Sequence, residues 1–300
     1  TVINTNVAAS ITANALTKNE RAMSQAMERL STGQRINNAG DDAAGLAISS
    51  RMTSQINGLN MAVRNANDAI SMVQTADGAL VEVSNMLQRM RELSVQASSG
   101  TMSSTDVTAL NTEFQALRDQ IQEVAKNTEW NGTKLLDGSI GTSTAVAFHV
   151  GANNGQTISV TFNDLNTDFN ATNSTTAATQ ATGLLVGLGA EALNGGTGGT
   201  KDLIDAAVND GAILTTLTYA ISRINTQRAT FGAAINRLEY AADNLANVSQ
   251  NTSASRSRVL DADYASETTE LARTQIIQQA ATAMLSQANQ QAQSVLSLLK

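Results

Sequence analysis

In four blocks of this chain apolar residues recur at alternating steps of three and four, and in one short stretch they alternate every second residue. The pattern at the C-terminal end carries the most information. Positions 271, 274, 278, 281, 285, 288, 292, 295 and 299 hold Leu, Thr, Gln, Ala, Leu, Ala, Ala, Val and Leu, so seven of nine are apolar. That spacing is a coiled-coil seam. From Thr274 to Leu299 the chain runs 26 residues with seven Gln and no charged side chain, yet it is too polar to span a membrane. A lone helix with a narrow seam and no ion pairs on its outer face is marginal in water. The uncharged Gln, Ala and Ser flanks make sense if they too are buried against partners. This end of the chain is therefore expected to be completed by assembly.

Three further helical blocks follow from the same periodicity. Ile3, Val7 and Ile11 begin a stripe that Ala15, Met23, Met27 and Leu30 continue less regularly. Positions 52, 56, 59, 63, 66, 70, 73, 77 and 80 are apolar except for Asp77, and the seam resumes with a phase shift at Val83, Leu87 and Met90. A helix from Ala44 to Ala97 would be about 80 Å long. A shorter helix is expected from Asp106 to Lys126, ending near the turn signal Asn131-Gly132. Positions 214, 217, 221, 224, 228, 231, 235, 238, 242 and 245 form the cleanest seam, broken by Arg228 alone.

Period-two alternation marks Ala145 to Phe162. Val146, Phe148 and Val150 precede Gly151-Ala-Asn-Asn-Gly155, and Ile158, Val160 and Phe162 follow it, which predicts a β-hairpin. Residues 166–200 are rich in Thr, Asn, Ala and Gly and read as a short surface insertion, either loosely structured or a compact mini-domain. The fold class expected is mainly α: a long antiparallel helical bundle or coiled coil built from both chain ends, with a small β-hairpin region and a short central insertion.

Composition narrows the function. The 300 residues contain no proline, which permits very long helices, and aromatics are 3%, too few for a core built on large rings. The net charge of −7 comes without a basic tract, so nucleic acid is not an expected partner. There is no cysteine, hence no disulfide or thiolate metal site. The N-terminal stretch lacks the basic-then-apolar layout of a cleaved signal peptide, and no run of 18 apolar residues exists to insert into a membrane.

Two long motifs carry a resemblance. LSTGQRINNAGDDAAGLAIS (Leu30 to Ser49) and RVLDADYASETTELARTQIIQQAATAMLSQANQ near the C-terminus resemble the two terminal signatures of bacterial flagellin, and FHVGANNGQTISVTF resembles a recurring flagellin hairpin segment. The similarity covers residues 1–165 and 200–300 and leaves out the insertion, which is short for the family. The resemblance implies a division into three parts. Residues 1–38 with 255–300 would form an inner coiled-coil domain of the filament core. Residues 39–142 with 202–254 would form a helical rod domain. Residues 143–201 would hold the hairpin and the variable insertion. It also implies chain ends that order on assembly. Gly33, Gly40 and Gly45 lie around the junction between these parts, where they either allow a bend or cap a helix.

The resemblance implies partners as well: copies of the same chain in a helical homopolymer, an export chaperone covering the C-terminal helix, and the filament cap and junction proteins. Export would use the flagellar type III apparatus, without cleavage of a signal peptide, and deliver the chain to the filament outside the cell. Host flagellin-sensing receptors belong to the same set. The segment Gln88-Arg89-Met90-Arg91-Glu92-Leu93 is similar to the one read by a Toll-like receptor, with Arg89, Leu93 and Glu113 at matching contact positions and Gln88 and Arg91 beside them. The same face is expected to contact neighbouring subunits. Val295, Leu296, Leu298 and Leu299 are similar to the leucine-rich end read by cytosolic sensors, and with Leu285 they are seam residues first.

Chemistry finds little foothold. His149 is the single histidine and falls on the hairpin, where it reads as a surface strand residue. Asp41-Asp42 and Asp261-x-Asp263 sit where helices should begin, and capping with dipole compensation accounts for them. Gly195-Gly-Thr-Gly-Gly-Thr-Lys201 lacks the Gly-Lys-Ser/Thr ending of a phosphate loop and reads as a linker. No catalytic, metal or cofactor residue is assigned, and no cofactor is expected. An enzyme would have to draw its chemistry from the insertion, which offers no His or Cys. The leading expectation is a self-assembling flagellar filament subunit used in swimming. The alternative is a hook–filament junction protein with the same two-ended helical design.

Overall fold

The computed structural model describes residues 6–99, 101–140, 145–165 and 212–297. Among them the chain forms five helices and two small antiparallel sheets. The helices are α1 (Val7–Thr32), α2 (Ala43–Ala97), α3 (Ser104–Asn127), α4 (Ala212–Leu260) and α5 (Tyr264–Ser297). The strands are β1 (Glu129–Trp130), β2 (Thr133–Lys134), β3 (Val146–His149) and β4 (Thr157–Val160). Without proline, α2 continues for 55 residues and α4 for 49. The expected insertion at 166–200 lies outside the described residues.

The chain divides into two compact units, Thr1–Asn57 with Val248–Lys300 and Gly58–Asn247. In the second unit α2, α3 and α4 share one core. The α2 seam enters it at Val73, Leu80, Val83, Leu87, Met90 and Leu93, and the α4 seam at Leu217, Ile224 and Phe231. Phe114 and Ile121 of α3 join them, with Leu135 and Leu136 from the segment after β2. Phe162, just past β4, sets its ring 5.3 Å from Phe231 in a tilted pair. The two residues that interrupt the seams answer each other: Arg228 Nε donates to Asp77 Oδ1 at 3.0 Å. A charged residue tolerated in each seam is thereby a paired feature that fixes which stretch of α4 lies against which stretch of α2.

α3 opens with a capping box, Ser103 and Asp106 each accepting a backbone N–H of the other. Four residues beyond its end, Asn131 (φ 50) and Gly132 (φ 76) make the left-handed two-residue turn that joins β1 to β2. The larger hairpin forms as expected, with Val146 opposite Val160 and Phe148 opposite Ile158. Ile158 and Val160 are buried, and the loop of this hairpin meets α2 at Gly58, where a Cβ would stand 3.3 Å from the Ala152 Cβ.

In the first unit α1 and α5 pair antiparallel. Asn6 Nδ2 donates to the Ala288 carbonyl at 3.2 Å, Asn19 Nδ2 to the Thr274 carbonyl at 2.7 Å, and Arg29 Nη1 to Glu267 Oε1 at 3.1 Å. The Tyr264 hydroxyl donates to the Leu30 carbonyl at 2.9 Å and closes the far end. The α5 seam lies as its spacing predicts: Leu271, Thr274, Gln278, Ala281, Leu285 and Ala288 are the less exposed positions of the helix. The α1 stripe does so only at Met23 and Leu30. Thr12, Leu16, Asn19, Met23, Ala26 and Leu30 line the contact, whereas Val7, Ile11 and Met27 are exposed. Small and amide side chains let the two backbones approach beside Leu16, Met23 and Leu30, and Val7, Ile11 and Met27 are left on the outside.

Candidate functional site

The two terminal motifs build one structure. α1 ends at Gly33, whose φ of 71 suits a left-handed cap and whose N–H reaches the Arg29 carbonyl at 2.9 Å. Arg35 N–H then donates to the Leu260 carbonyl at 2.7 Å and Ala262 N–H to the Gly33 carbonyl at 2.9 Å. The turn from α1 to α2 and the turn from α4 to α5 are thus hydrogen-bonded as a short antiparallel bridge between Gln34 and Asp261. Ile36, 1% exposed, anchors the first turn.

The paired carboxylates are divided between two tasks. Asp42 Oδ1 accepts Gly45 N–H at 2.8 Å and Asp263 Oδ1 accepts Ala265 N–H at 3.0 Å, so these two cap α2 and α5. Asp41 Oδ2 instead accepts the N–H groups of Asn37 and Asn38 at 3.2 and 3.0 Å, holding the turn itself. Those backbone bonds, Asn38 first, keep its carboxyl below the usual aspartate range. Asp261 Oδ2 accepts from the Ser257 hydroxyl at 2.6 Å. Gly45 has no room for a side chain, because a Cβ would meet Asp42 Oδ2 at 2.5 Å and Ile36 Cδ1 at 2.6 Å. Its glycine therefore reflects close approach in the first turn of α2, and Gly33 takes the cap.

Beside the internal seam, α5 carries a second apolar row. Ile277, Ala280 and Met284 repeat at steps of three and four and are exposed, with Ile276 adjoining them. Val7 and Ile11 are exposed on α1. Large apolar side chains standing in solvent at helical spacing mark an interaction surface. The periodicity that located the first seam also contains this second row, one position to the side; counting a single register passes over it. Leu285 sits in the internal seam, Val295 and Leu296 fall in the last turns of the α5 backbone, and Leu298 and Leu299 lie outside the described residues.

The structure separates the residues of the α2 recognition segment. Arg89 Nε donates to Glu113 Oε1 of α3 at 2.8 Å and its Nη1 to Glu92 Oε2 at 3.1 Å, a bridge on the surface that raises the Arg89 pKa, the Glu113 bond first. Gln88 and Arg91, three residues apart on α2, turn toward α4. With Glu92, Val95, Thr218 and Ile221 they line an open groove of about 650 Å3. Leu93 belongs to neither surface. It is 1% exposed, continuing the buried row of Val83, Leu87 and Met90, so it supports this face from beneath and is no surface contact.

His149 is exposed on β3, and its carbonyl accepts from Asn65 Nδ2 at 3.1 Å. Among the described residues no group of acidic and histidine side chains is placed to hold a metal ion, and no helix is long and apolar enough to cross a membrane. Taken together, the arrangement is suited to binding other helices.

The bacterial flagellin N-terminal helical region matches residues 3–140, and the bacterial flagellin C-terminal helical region matches residues 214–299. The flagellin of Bacillus subtilis (strain 168) is 42% identical over 307 aligned residues that cover 99% of each chain. The flagellin of Halalkalibacterium halodurans is 43% identical over 276, covering 92% of this chain and 91% of its own. A crystal structure of Bacillus cereus flagellin aligns at 30% identity over 61% of this chain and 88% of that one, with a TM-score of 0.46.

Proposed function

The chain belongs to the bacterial flagellin family, and from that premise we propose how its parts serve a structural subunit of the flagellar filament. It is a component of a homopolymer outside the cell, and its work is mechanical. Residues 1–38 with 255–300 supply the core of the assembly, residues 39–142 with 202–254 the rod, and residues 143–201 the hairpin and surface insertion. The observation that supports an assembly role for the chain ends is the second apolar row of α5, Ile277–Ala280–Met284, exposed beside a seam already occupied by α1. A helix with two apolar rows and one intramolecular partner has a place for another copy, and burial there drives ordering together with polymerisation.

Before assembly the same row is the surface a secretion chaperone would cover. Cap and junction proteins would meet it at the filament ends, and export would follow the flagellar type III route without signal cleavage. The Arg89–Glu113 bridge, with Gln88 and Arg91 at the neighbouring groove, supports a subunit contact that a host receptor also reads. Leu285, Val295, Leu296, Leu298 and Leu299 are proposed for core assembly and, in the case of the last four, for cytosolic sensing. None of these roles requires a reacting group, a cofactor or a metal.

The test is electron microscopy of heat-dissociated protein seeded with short filament fragments. Long uniform tubes are the expected result. Persistent monomers beside seeds of proven competence would overturn the reading and indicate a junction-type protein.

A further inference from the structure

The chain has nine methionines, and their environments differ sharply. Met72 and Met90 are buried in the core of the second unit, and Met23, Met52, Met86 and Met102 are partly covered. Met27, Met61 and Met284 are exposed. Of these, Met61 receives a hydrogen bond on its sulfur from the Arg64 guanidinium. Met27 stands on α1 away from the apolar row of α5. Met284 is 60% exposed and is the largest side chain of that row's C-terminal half, seven residues from Ile277 at the same heptad position.

We propose that Met284 is a sulfoxidation site, and that its oxidation in the free subunit blocks incorporation into the filament. The inference rests on the reading of the Ile277–Ala280–Met284 row as an assembly surface. The reaction needs a two-electron oxidant of the hydroperoxide class. The thioether sulfur attacks the terminal oxygen, an S–O bond forms as the O–O bond breaks, and the displaced oxygen leaves as water or an alcohol with the proton. Sulfur is oxidised by two electrons and the peroxide is reduced by two. The product exchanges a flexible apolar side chain for a rigid dipole with a strong acceptor oxygen. On a free helix, water solvates that oxygen. In a packed row of Ile, Ala and Met no donor faces it, and desolvation counts against docking. A subunit already packed by this row is shielded, so the modification acts on chains that have yet to join.

The experiment oxidises the dissociated, full-length protein with hydrogen peroxide, maps the sulfoxides by peptide mass spectrometry, and follows elongation from untreated seeds. Met284 should be among the first methionines converted, well ahead of Met72 and Met90. Oxidised wild-type protein should elongate about tenfold or more slowly than untreated protein, the effect of one unsatisfied polar group in a contact. The variant Met284→Leu is compared with its own untreated rate, whatever that rate is, and oxidation should slow it by less than about twofold, since Leu offers no sulfur at this position. Equal loss in oxidised Met284→Leu, or normal elongation by wild-type protein with Met284 fully oxidised, would overturn the proposal. Failure of the untreated protein to elongate would overturn the assembly reading beneath it, and this inference with it.

Discussion

The two units of the molecule use the same helical periodicity to different ends. In Gly58–Asn247 the seam residues Leu80, Leu87, Leu217, Ile224 and Phe231 are fully covered by one another and by Phe114, Ile121 and Phe162. In Thr1–Asn57 with Val248–Lys300 the helices α1 and α5 meet along a narrow line of Ala, Thr, Asn and Leu, and leave Val7, Ile11, Ile276 and Met284 in solvent. One unit spends its apolar surface internally. The other holds it in reserve on the outside. A unit of the first kind folds on its own core, whereas one of the second kind gains most of its burial from other copies.

The largest expected effect comes from striking the unit with the reserved surface. Leu285→Asp places a carboxylate in the α1–α5 seam, near the end where Asn6 reaches Ala288. Elongation from seeds should be abolished, while amide protection along Leu214–Leu245 of α4 stays as in the wild type. Normal filaments from this variant would mean that the pairing of the chain ends is dispensable for assembly.

The opposite strike should have the opposite signature. Phe231→Ala empties a fully buried site against Phe162 and is expected to cost about 3–5 kcal/mol of monomer stability, read by denaturant unfolding. If its unfolding midpoint matches the wild type, the core of the second unit is not what holds it together.

A subtler test concerns the two seam-breaking charges. Asp77 and Arg228 are about one-third exposed, so their pair is screened and a double-mutant cycle should return a coupling of roughly 0.2–1 kcal/mol. Exchanging the two residues should restore most of what either single substitution loses. A coupling of zero would remove the pair as a determinant of helix register.

How much of this was legible in the sequence depended on whether one helix or two had to be read. The α5 seam from Leu271 to Ala288 needed a single helix, and its positions are the less exposed ones. The β3–β4 hairpin likewise followed from alternation on each side of a glycine-bounded loop. The α1 face needed the partner. An apolar count selects Met23 and Leu30, which face in, but also Val7 and Ile11, which face out, and it misses Asn19, whose amide gains a buried carbonyl that exists solely because Thr274 lies across from it. Thr274 stood out as a polar residue in an apolar seam, which is the signal that could have led to Asn19. Leu93 shows the converse. Similarity of the segment around it gave its identity but not its depth, although a step of three from Met90 already continues the buried row. The insertion, with neither period, offered no helix or strand to place.

The smallest expected effect is also the most local, and it separates the turn at Asn37–Gly45 from both units' apolar surfaces. Asp41 accepts the Asn37 and Asn38 N–H groups as a carboxylate, and these bonds lower its pKa from the ordinary 3.8. Its contribution to the folded turn is therefore fully present above the unfolded value near 4, and fades as pH falls through the lower, folded value. Because Asp41 is only partly buried and its backbone bonds are both to the turn, the change should be confined to the turn. Amide exchange at Asn37 and Asn38, corrected for intrinsic acid rates, should lose protection below pH ~4 while α4 remains protected. Asp41→Asn keeps an acceptor oxygen but removes the charge, so protection at these two amides should become independent of pH in that range and lower at neutral pH. If wild-type protection survives unchanged well below pH ~3, the Gln34–Asp261 bridge and the buried Ile36 hold the turn without Asp41.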